Sequence, residues 1–295
     1  MDAPLKVIGF TFIRNAILYD YPVVESIRSI LPLVDHVVVA VGESSDNTLE
    51  LIQSIDPERI KIVSTRWDDS LRAGGRVLAA ETDKALQAVD SDAHWAIYIQ
   101  GDEVLHEKDH SAIRSAMERY KNDTKVDGLL FNYLHFYGSY DFVGASANWY
   151  RNEIRCIRPN GRIYSFRDAQ GFRKDDDQLL SVKAIDACVY HYGWVKQPEA
   201  MQKKQVNFNK LWHDDAWVEQ HIAKVDAFEY EKHVEYLARF QGTHPAVMQA
   251  RIKAMQWQFN HDPSMDRRTV KNKLKDWLRT RLGLDFSYKN YRLLK

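Results

Sequence analysis

Trp95-Ala96-Ile97-Tyr98-Ile99-Gln100-Gly101-Asp102-Glu103 is an apolar run that stops on two adjacent carboxylates. A short apolar run without polar alternation reads as a strand buried on both faces, the kind found in parallel sheets. In open α/β sheets ligands bind beyond the carboxyl ends of the strands. A carboxylate at that position can hold a divalent cation, and the cation can in turn hold phosphate.

The residues before this run repeat one pattern. Leu5 to Phe12 is apolar and leads to the polar pair Arg14-Asn15. Pro22 suits the start of a helix, and Val23, Val24, Ile27, Ile30 and Leu31 then form one apolar stripe at helical spacing. His36 to Val41 is a β-branched run that ends at Gly42-Glu43-Ser44-Ser45-Asp46-Asn47-Thr48. Asn47 followed by Glu50 marks a helix start. Ile60 to Val63 is a third strand, ending near Thr65-Arg66-Trp67, and Gly74-Gly75 opens a helix carrying Leu78, Ala85, Leu86 and Val89. Four strand–helix repeats in about a hundred residues predict an α/β fold with a parallel, doubly wound sheet and right-handed crossovers. The clusters Arg14-Asn15, Glu43 to Thr48, Arg66 to Asp69 and Asp102-Glu103 would then share one sheet edge, where a nucleotide site belongs.

Beyond residue 127 the pattern changes. Gly128 to Tyr137 reads as another strand, Asp141 to Phe172 as a long structured loop with short strands, and Val182 to Tyr192 as a strand ending at His191-Tyr192-Gly193-Trp194. From Pro198 the chain reads as helical, with a break near Thr243-His244-Pro245. The expected organisation is a catalytic domain over residues 1–197 and a helical extension over 198–295. The tail from Asp266 to Lys295 holds ten Lys/Arg against three Asp. Its plain reading is a solvated helix with Trp277, Leu278 and Leu282 packed down. The other reading is basic charge with interleaved Trp and Leu that touches an anionic membrane surface.

Composition narrows the class. The 295 residues are 45% hydrophobic and 12% aromatic, enough to bury a core. Lys+Arg and Asp+Glu both number 41, so no global charge favours nucleic acid. Cys156 and Cys188 form neither a disulfide framework nor a metal spacing, which suits a reducing, cytoplasmic setting. Met1-Asp2-Ala3-Pro4 has no basic region ahead of its apolar run, so no signal peptide is expected.

Taken together, these segments resemble the family 2-type glycosyltransferases with the GT-A fold, over roughly residues 5 to 200, and more loosely the bacterial members that build cell-surface polysaccharides. Ser44-Ser45-Asp46-Asn47-Thr48 resembles the family's S-x-D-x-T turn, Gln100-Gly101-Asp102-Glu103 its D-x-D-E metal motif, and His191-Tyr192-Gly193-Trp194 its closing histidine motif. The resemblance implies transfer of a sugar, with inversion, from a nucleotide-sugar donor (a UDP-sugar first) to a glycan or lipid-linked acceptor. It implies Mn2+ or Mg2+ held by Asp102 and His191, a nucleotide contacted by Arg14, Asn15, Glu43, Gln100 and Gly101, and a loop shaped by Asp46. Arg66 or Arg76 is expected to bind diphosphate, since a guanidinium fork matches phosphate oxygens. Two positions depart from the pattern. Val41 and Gly42 stand where an Asp usually reads uracil or ribose, and Gln100 stands for the first Asp of the metal motif, offering an acceptor oxygen without its charge.

Each site has a plainer reading beside it. Asp102 could cap a helix, His191 could be a packed histidine, and Ser44, Asp46 and Thr48 could simply form a turn. Inverting transfer needs a carboxylate that takes the acceptor's proton. Asp168 is the first candidate, with Glu103 and Asp175-Asp176-Asp177 competing. A dinucleotide dehydrogenase is disfavoured because no G-x-G-x-x-G follows a strand. A nucleotidyltransferase is disfavoured because no Gly-rich basic loop follows the first strand. The rival of a different class is a non-catalytic nucleotide- or carbohydrate-binding relative, for which the changes at Val41, Gly42 and Gln100 would be the signature.

Overall fold

The computed structural model describes residues 3–68, 70–71, 73–222, 224–284 and 288–295. Asp69 and Asp285, counted above among the polar clusters and the tail, lie outside the described residues. In chain order the elements are β1 (Val7–Ile13), α1 (Val23–Ile30), β2 (His36–Gly42), α2 (Thr48–Gln53), β3 (Ile60–Thr65), α3 (Arg76–Gln87) and β4 (Trp95–Tyr98). Next come β5 (Glu103–Leu105), α4 (His110–Tyr120), β6 (Gly128–Tyr137), β7 (Phe142–Gly144), β8 (Asn152–Ile157), β9 (Ile163–Phe166), β10 (Gly171–Lys174), β11 (Gln178–Leu179) and β12 (Ser181–Trp194). The chain closes with α5 (Pro198–Lys210), α6 (Asp215–His221), β13 (Leu237–Arg239), α7 (Gln249–Lys253), α8 (Val270–Leu282) and β14 (Arg292–Leu293).

The main sheet runs β3-β2-β1-β4-β8-β6-β12, with β1 to β4 parallel, β8 antiparallel between β4 and β6, and β12 parallel to β6. This is the α/β class expected from the repeats. β1 has β2 on one side and β4 on the other, so the strand order reverses there and a crevice opens beyond their carboxyl ends. Side chains of period two divide between the faces. Val37, Val39 and Val41 pack with Ile27, Ile30, Ile113 and Met117 on one side. Val38 and Ala40 pack with Val77, Leu78 and Leu86 on the other. Helices α1 and α4 thus cover one face and α3 the opposite one.

The opening run makes only four residues of strand. Gln100, Gly101 and Asp102 leave the sheet in a turn, and Glu103 starts β5, which runs antiparallel to the end of β12 with Glu103 opposite His191. That reversal brings the two motifs together. After Pro198 the chain is helical but tied to the sheet, since β13 pairs with β7 and β14 with β12.

Helix α8 departs from the plain reading of the tail. Trp277 and Leu282 are not packed down; they are 53% and 57% exposed, and Leu278 is half-buried. The reason is electrostatic. Asp276 is the buried residue of α8, held by Arg268 and Arg279 at 2.9 Å each, so the helix is anchored by its polar side.

Candidate functional site

Beyond β1 and β4 lies a cavity of about 110 Å3 whose lining includes Phe12, Arg14, Trp67, Gln100, Asp102 and Lys204. A neighbouring cavity of about 130 Å3 shares Arg14, Asn207 and Leu211 with it and extends past Asp68 and Lys210. Together they form a groove roofed by α5.

The turn after β2 is built to hold the loop after β1. Ser44 Oγ accepts from the Asn15 amide (3.0 Å), Thr48 Oγ1 from the Ala16 amide (2.8 Å) and Asp46 Oδ2 from the Leu18 amide (2.7 Å). Asp46 Oδ1 also accepts from the Thr48 amide and hydroxyl, starting α2. Asn15, at φ 52°, accepts from the Ser45 amide with its side-chain oxygen at 2.7 Å. Asp46 and the carbonyl of Asn15 are therefore spent on shaping the rim.

Gly42 explains the missing acid after β2. A Cβ there would lie 2.4 Å from Trp67 Nε1 and 2.7 Å from its Cδ1, so the indole occupies the space of any side chain at 42. Trp67 is sandwiched by Phe12 (centroids 5.9 Å apart) and the Arg14 guanidinium (5.3 Å). Its buried Nε1 is turned toward Gly42 and has no hydrogen-bond partner. Glu43 and Arg66 are exposed at the rim, 3.6 Å apart, and Arg76 is the exposed first residue of α3, outside the lining of these cavities.

Asp102 forms the floor. Its carboxylate is buried; Lys204 Nζ on α5 lies 3.1 Å from Oδ2 and also donates to the Gly193 carbonyl at 2.9 Å. His191 Nε2 lies 3.7 Å from Oδ1. Burial alone would raise this carboxyl, but Lys204 and then His191 outweigh it and hold the group well below the usual range. A Cβ on Gly193 would stand 2.4 Å from His191 Nε2 and 2.7 Å from Asp102 Oδ2, so glycine keeps the space beside both open.

The tautomer of His191 follows from its neighbours. His135 Nε2 lies 2.9 Å from the Tyr150 carbonyl, which only accepts, so that nitrogen carries a proton. Burial, then the nearby His191, pushes His135 well below the ordinary histidine value, so its ring is neutral and Nδ1 bare. His191 Nδ1, 3.1 Å away, must then donate to it. The nitrogen left facing Asp102 is therefore Nε2. Orientation of one imidazole nitrogen by a hydrogen bond at the other is how ligating histidines are fixed. Among the described residues no three His, Cys, Asp or Glu side chains gather to hold a metal, so Asp102 and His191 stand as a pair.

Glu103, the competing candidate for the base, is closed off from solvent. It is fully buried, and Arg155 grips it with Nε on Oε2 at 2.8 Å and Nη2 on Oε1 at 2.6 Å. Tyr133 Oη and the Gln100 amide complete its shell. With both oxygens taken and no solvent face, it anchors the turn instead of offering a base.

Asp168 stands in a strained turn, with Arg167 at φ 57° and the fully buried Ala169 at φ 63° on either side. Two contacts hold that turn to the Asp102 loop: Gln100 Nε2 donates to the Ala169 carbonyl (3.2 Å) and Arg155 Nη1 to the Gln170 carbonyl (3.3 Å). Desolvation raises the Asp168 carboxyl above its ordinary value. It lines a separate cavity of about 310 Å3 with Trp149, Tyr150, Arg167, Tyr288 and Tyr291. Asp175 is taken up by Arg162 and Asp177 by Tyr164, at the far end of β9 and β10. The triple acid is a surface turn.

Lys204, Trp67, His135 and Arg155 were not singled out by sequence. For α5 a signal existed: Lys204, Asn207, Phe208 and Leu211 recur at i, i+3, i+4 and i+7, and all four line the groove. The other three had none, because each acts through a partner distant in sequence.

No family model matches this chain, and no curated protein does. Among solved structures it is similar to S. aureus TarS in complex with UDP, at 13% identity over 74% of this chain and 70% of that one, with a TM-score of 0.40. It is similar to glucosyl-3-phosphoglycerate synthase from Mycobacterium tuberculosis in complex with Mn2+, UDP and glucosyl-3-phosphoglycerate, at 16% identity, 46% of each chain and a TM-score of 0.30. A third likeness is to 4-diphosphocytidyl-2C-methyl-D-erythritol synthase from Anaerococcus prevotii, at 10% identity over 73% of this chain and 96% of that one, with a TM-score of 0.36.

Proposed function

We propose that the protein is a family 2-like glycosyltransferase that moves a sugar from a nucleotide donor to a hydroxyl of a glycan or glycolipid, with inversion, in cell-surface polysaccharide synthesis. The observation that carries this reading is the groove at the strand-order reversal. It joins an aromatic and cationic wall (Trp67, Phe12, Arg14) to a buried carboxylate floor (Asp102), and Gln100 ties it to the turn that carries the half-buried Asp168 into the adjoining cavity.

In this reading the nucleobase stacks on Trp67 in place of the Arg14 guanidinium, which turns to the diphosphate. Arg14 and Lys204 face the diphosphate, while Arg66 and Glu43 stand at the rim. The residues fit a divalent cation: a carboxylate oxygen and the imidazole Nε2 converge beside the space Gly193 leaves free, a cation there would take the place of any Nε2 proton, and such cations usually take only one or two protein ligands when phosphates supply others. Bound by Asp102 and His191, Mn2+ or Mg2+ would offset the charge of the departing nucleoside diphosphate. Lys204 serves the other oxygen of Asp102. Asp168 takes the proton of the acceptor hydroxyl as its oxygen bonds to the anomeric carbon and the bond from that carbon to phosphate oxygen breaks. The cavity beside Asp168, with its tyrosine and tryptophan walls, holds the acceptor sugar against flat apolar faces.

The test is a thermal-shift series with UDP, GDP, CMP and dTDP, each with Mn2+, Mg2+ or EDTA. A nucleotide at about a hundred times its Kd stabilises the fold by about 2.7 kcal/mol. We expect one nucleotide, UDP first, to stabilise more with metal than with EDTA. Asp102→Asn should remove the metal-dependent part while keeping the fold. Unchanged metal dependence in that variant would sink the assignment of Asp102. Turnover of the corresponding nucleotide-sugar then separates an enzyme from a binding relative.

A further inference from the structure

Helix α8 is an amphipathic helix turned inside out. On an ordinary surface helix the apolar stripe faces the core and the polar face meets water. Here Asp276 is the buried residue, and Asn272 bonds inward to Glu235 (3.2 Å) and Asn148 (3.4 Å). Val270, Leu274 and Trp277, at helical spacing along the opposite face, are 84%, 56% and 53% exposed. Lys271 and Lys273 flank this stripe, and Arg281 lies one turn beyond Trp277; all three are exposed. The chain just after the helix adds Leu284 at 47% and Tyr288 at 73% exposure.

We propose that this face of α8 docks on an anionic lipid bilayer. The charge decides the occupant. A second copy of the chain packed symmetrically on the stripe would bring its own Lys271, Lys273 and Arg281 against the same cations, which is unfavourable. An acidic headgroup layer complements the cations while Val270, Leu274 and Trp277 enter the acyl boundary, and tryptophan is at home in that interface. Thirteen residues span only about 20 Å, and no helix among the described residues is long and apolar enough to cross a membrane, so α8 lies in the interface plane. Lys275, on the flank of the same helix, lines the cavity that contains Asp168. Docking would therefore hold that cavity close to the headgroups, where a lipid-linked hydroxyl would be found. The docking itself does not depend on the transferase reading.

The experiment is co-sedimentation of the full chain with vesicles of phosphatidylcholine alone or mixed with phosphatidylglycerol. The expected result is binding to the mixed vesicles, weak binding to the neutral ones, and loss of affinity as salt is raised. Each surface cation near an anionic leaflet accounts for about a fivefold gain; Lys273 is partly spent on Asp266 at 3.3 Å, so Lys271→Gln/Arg281→Gln should weaken binding about twenty-five-fold. Leu274→Glu/Trp277→Glu should abolish it with an unchanged circular dichroism spectrum, since both side chains are exposed. No binding of the unaltered chain to the anionic vesicles would overturn the proposal. So would equal binding by the Leu274→Glu/Trp277→Glu variant, or a dimer in sedimentation velocity that this variant dissociates. A failure of nucleotide binding or turnover would leave the lipid result standing.

Discussion

Arg155→Met should be among the most damaging single substitutions in the protein. Arg155 and Glu103 are essentially without solvent contact and meet through two N–H···O bonds at 2.8 and 2.6 Å. The other carboxyl near the guanidinium, Glu153 at 3.9 Å, is pushed up to about 8 by burial, so at neutral pH it is mostly protonated and the charge balance is one to one. Removing the cation leaves the Glu103 carboxylate buried with only Tyr133 and the Gln100 amide as donors. Breaking one side of a buried pair costs about 3–5 kcal/mol. With a urea m-value of about 3 kcal/mol/M for a chain of this size, the midpoint should fall by about 1–1.7 M. Neutralising both partners, as Glu103→Gln/Arg155→Met, removes the stranded charge and should recover about 2 kcal/mol in a double-mutant cycle. Equilibrium urea unfolding followed by circular dichroism reads all three. A single variant within about 1 kcal/mol of the parent, or a double variant no better than the single, would refute the buried-anchor reading of Glu103.

Three further outcomes follow from the same geometry. Trp67→Ala should weaken nucleoside diphosphate binding by about 1–3 kcal/mol in calorimetry, the usual value of a base–aromatic stack; unchanged affinity places the base elsewhere. Asp168→Asn should keep donor affinity and lose about 10²–10⁴ in transfer rate. Because burial raises Asp168, the acid limb of the parent's pH–rate profile should lie above the ordinary aspartate value, and the variant should lack that limb. Glu153 binds its proton more tightly folded (about 8) than unfolded (4.5), so its stabilising effect is present in acid and lost as pH rises through about 8. Glu153→Gln should therefore raise Tm relative to the parent at pH 9 and leave it nearly unchanged in mild acid, as differential scanning would show.

How much of this was legible in the sequence depends on the range of the interaction. The four strand–helix repeats and the edge they share are local patterns of period two and 3.6, and they appear as expected. So does the turn of Ser44, Asp46 and Thr48, whose capping bonds lie within two residues or reach the adjacent loop. Glu103 stood as a competing base because its place after the apolar run says nothing of what covers it. Its partner Arg155 is 52 residues away on an antiparallel strand whose insertion between β4 and β6 leaves no periodic trace. Trp277 and Leu282 were misread. Apolar spacing on a helix shows that a face exists, but Asp276 and its arginines determine which face turns inward. Trp67 left no signal of its own, because the lack of a side chain at Gly42 gains meaning only once the end of β3 places the indole against it.

Four acids near the groove and the adjoining cavity are sorted by their surroundings, and the sorting suggests their roles. Asp102 is buried, yet Lys204 and His191 more than reverse the effect of burial, so it stays an anion across the working range and suits a permanent electrostatic task. Glu103 is held by Arg155 in a closed pair and has no oxygen to spare. Glu153, with burial outweighing the attraction of the same arginine, keeps its proton. Asp168 and Glu153 both line the larger cavity and both are shifted upward, but Asp168 is the one carried on the turn fixed by Gln100 and Arg155. A base must be ionised before reaction and willing to take a proton during it. Of the four, Asp168 is the carboxyl whose surroundings fit a base best in the proposed reaction, and Gln100, neutral beside Asp102, ties its turn to the floor of the groove.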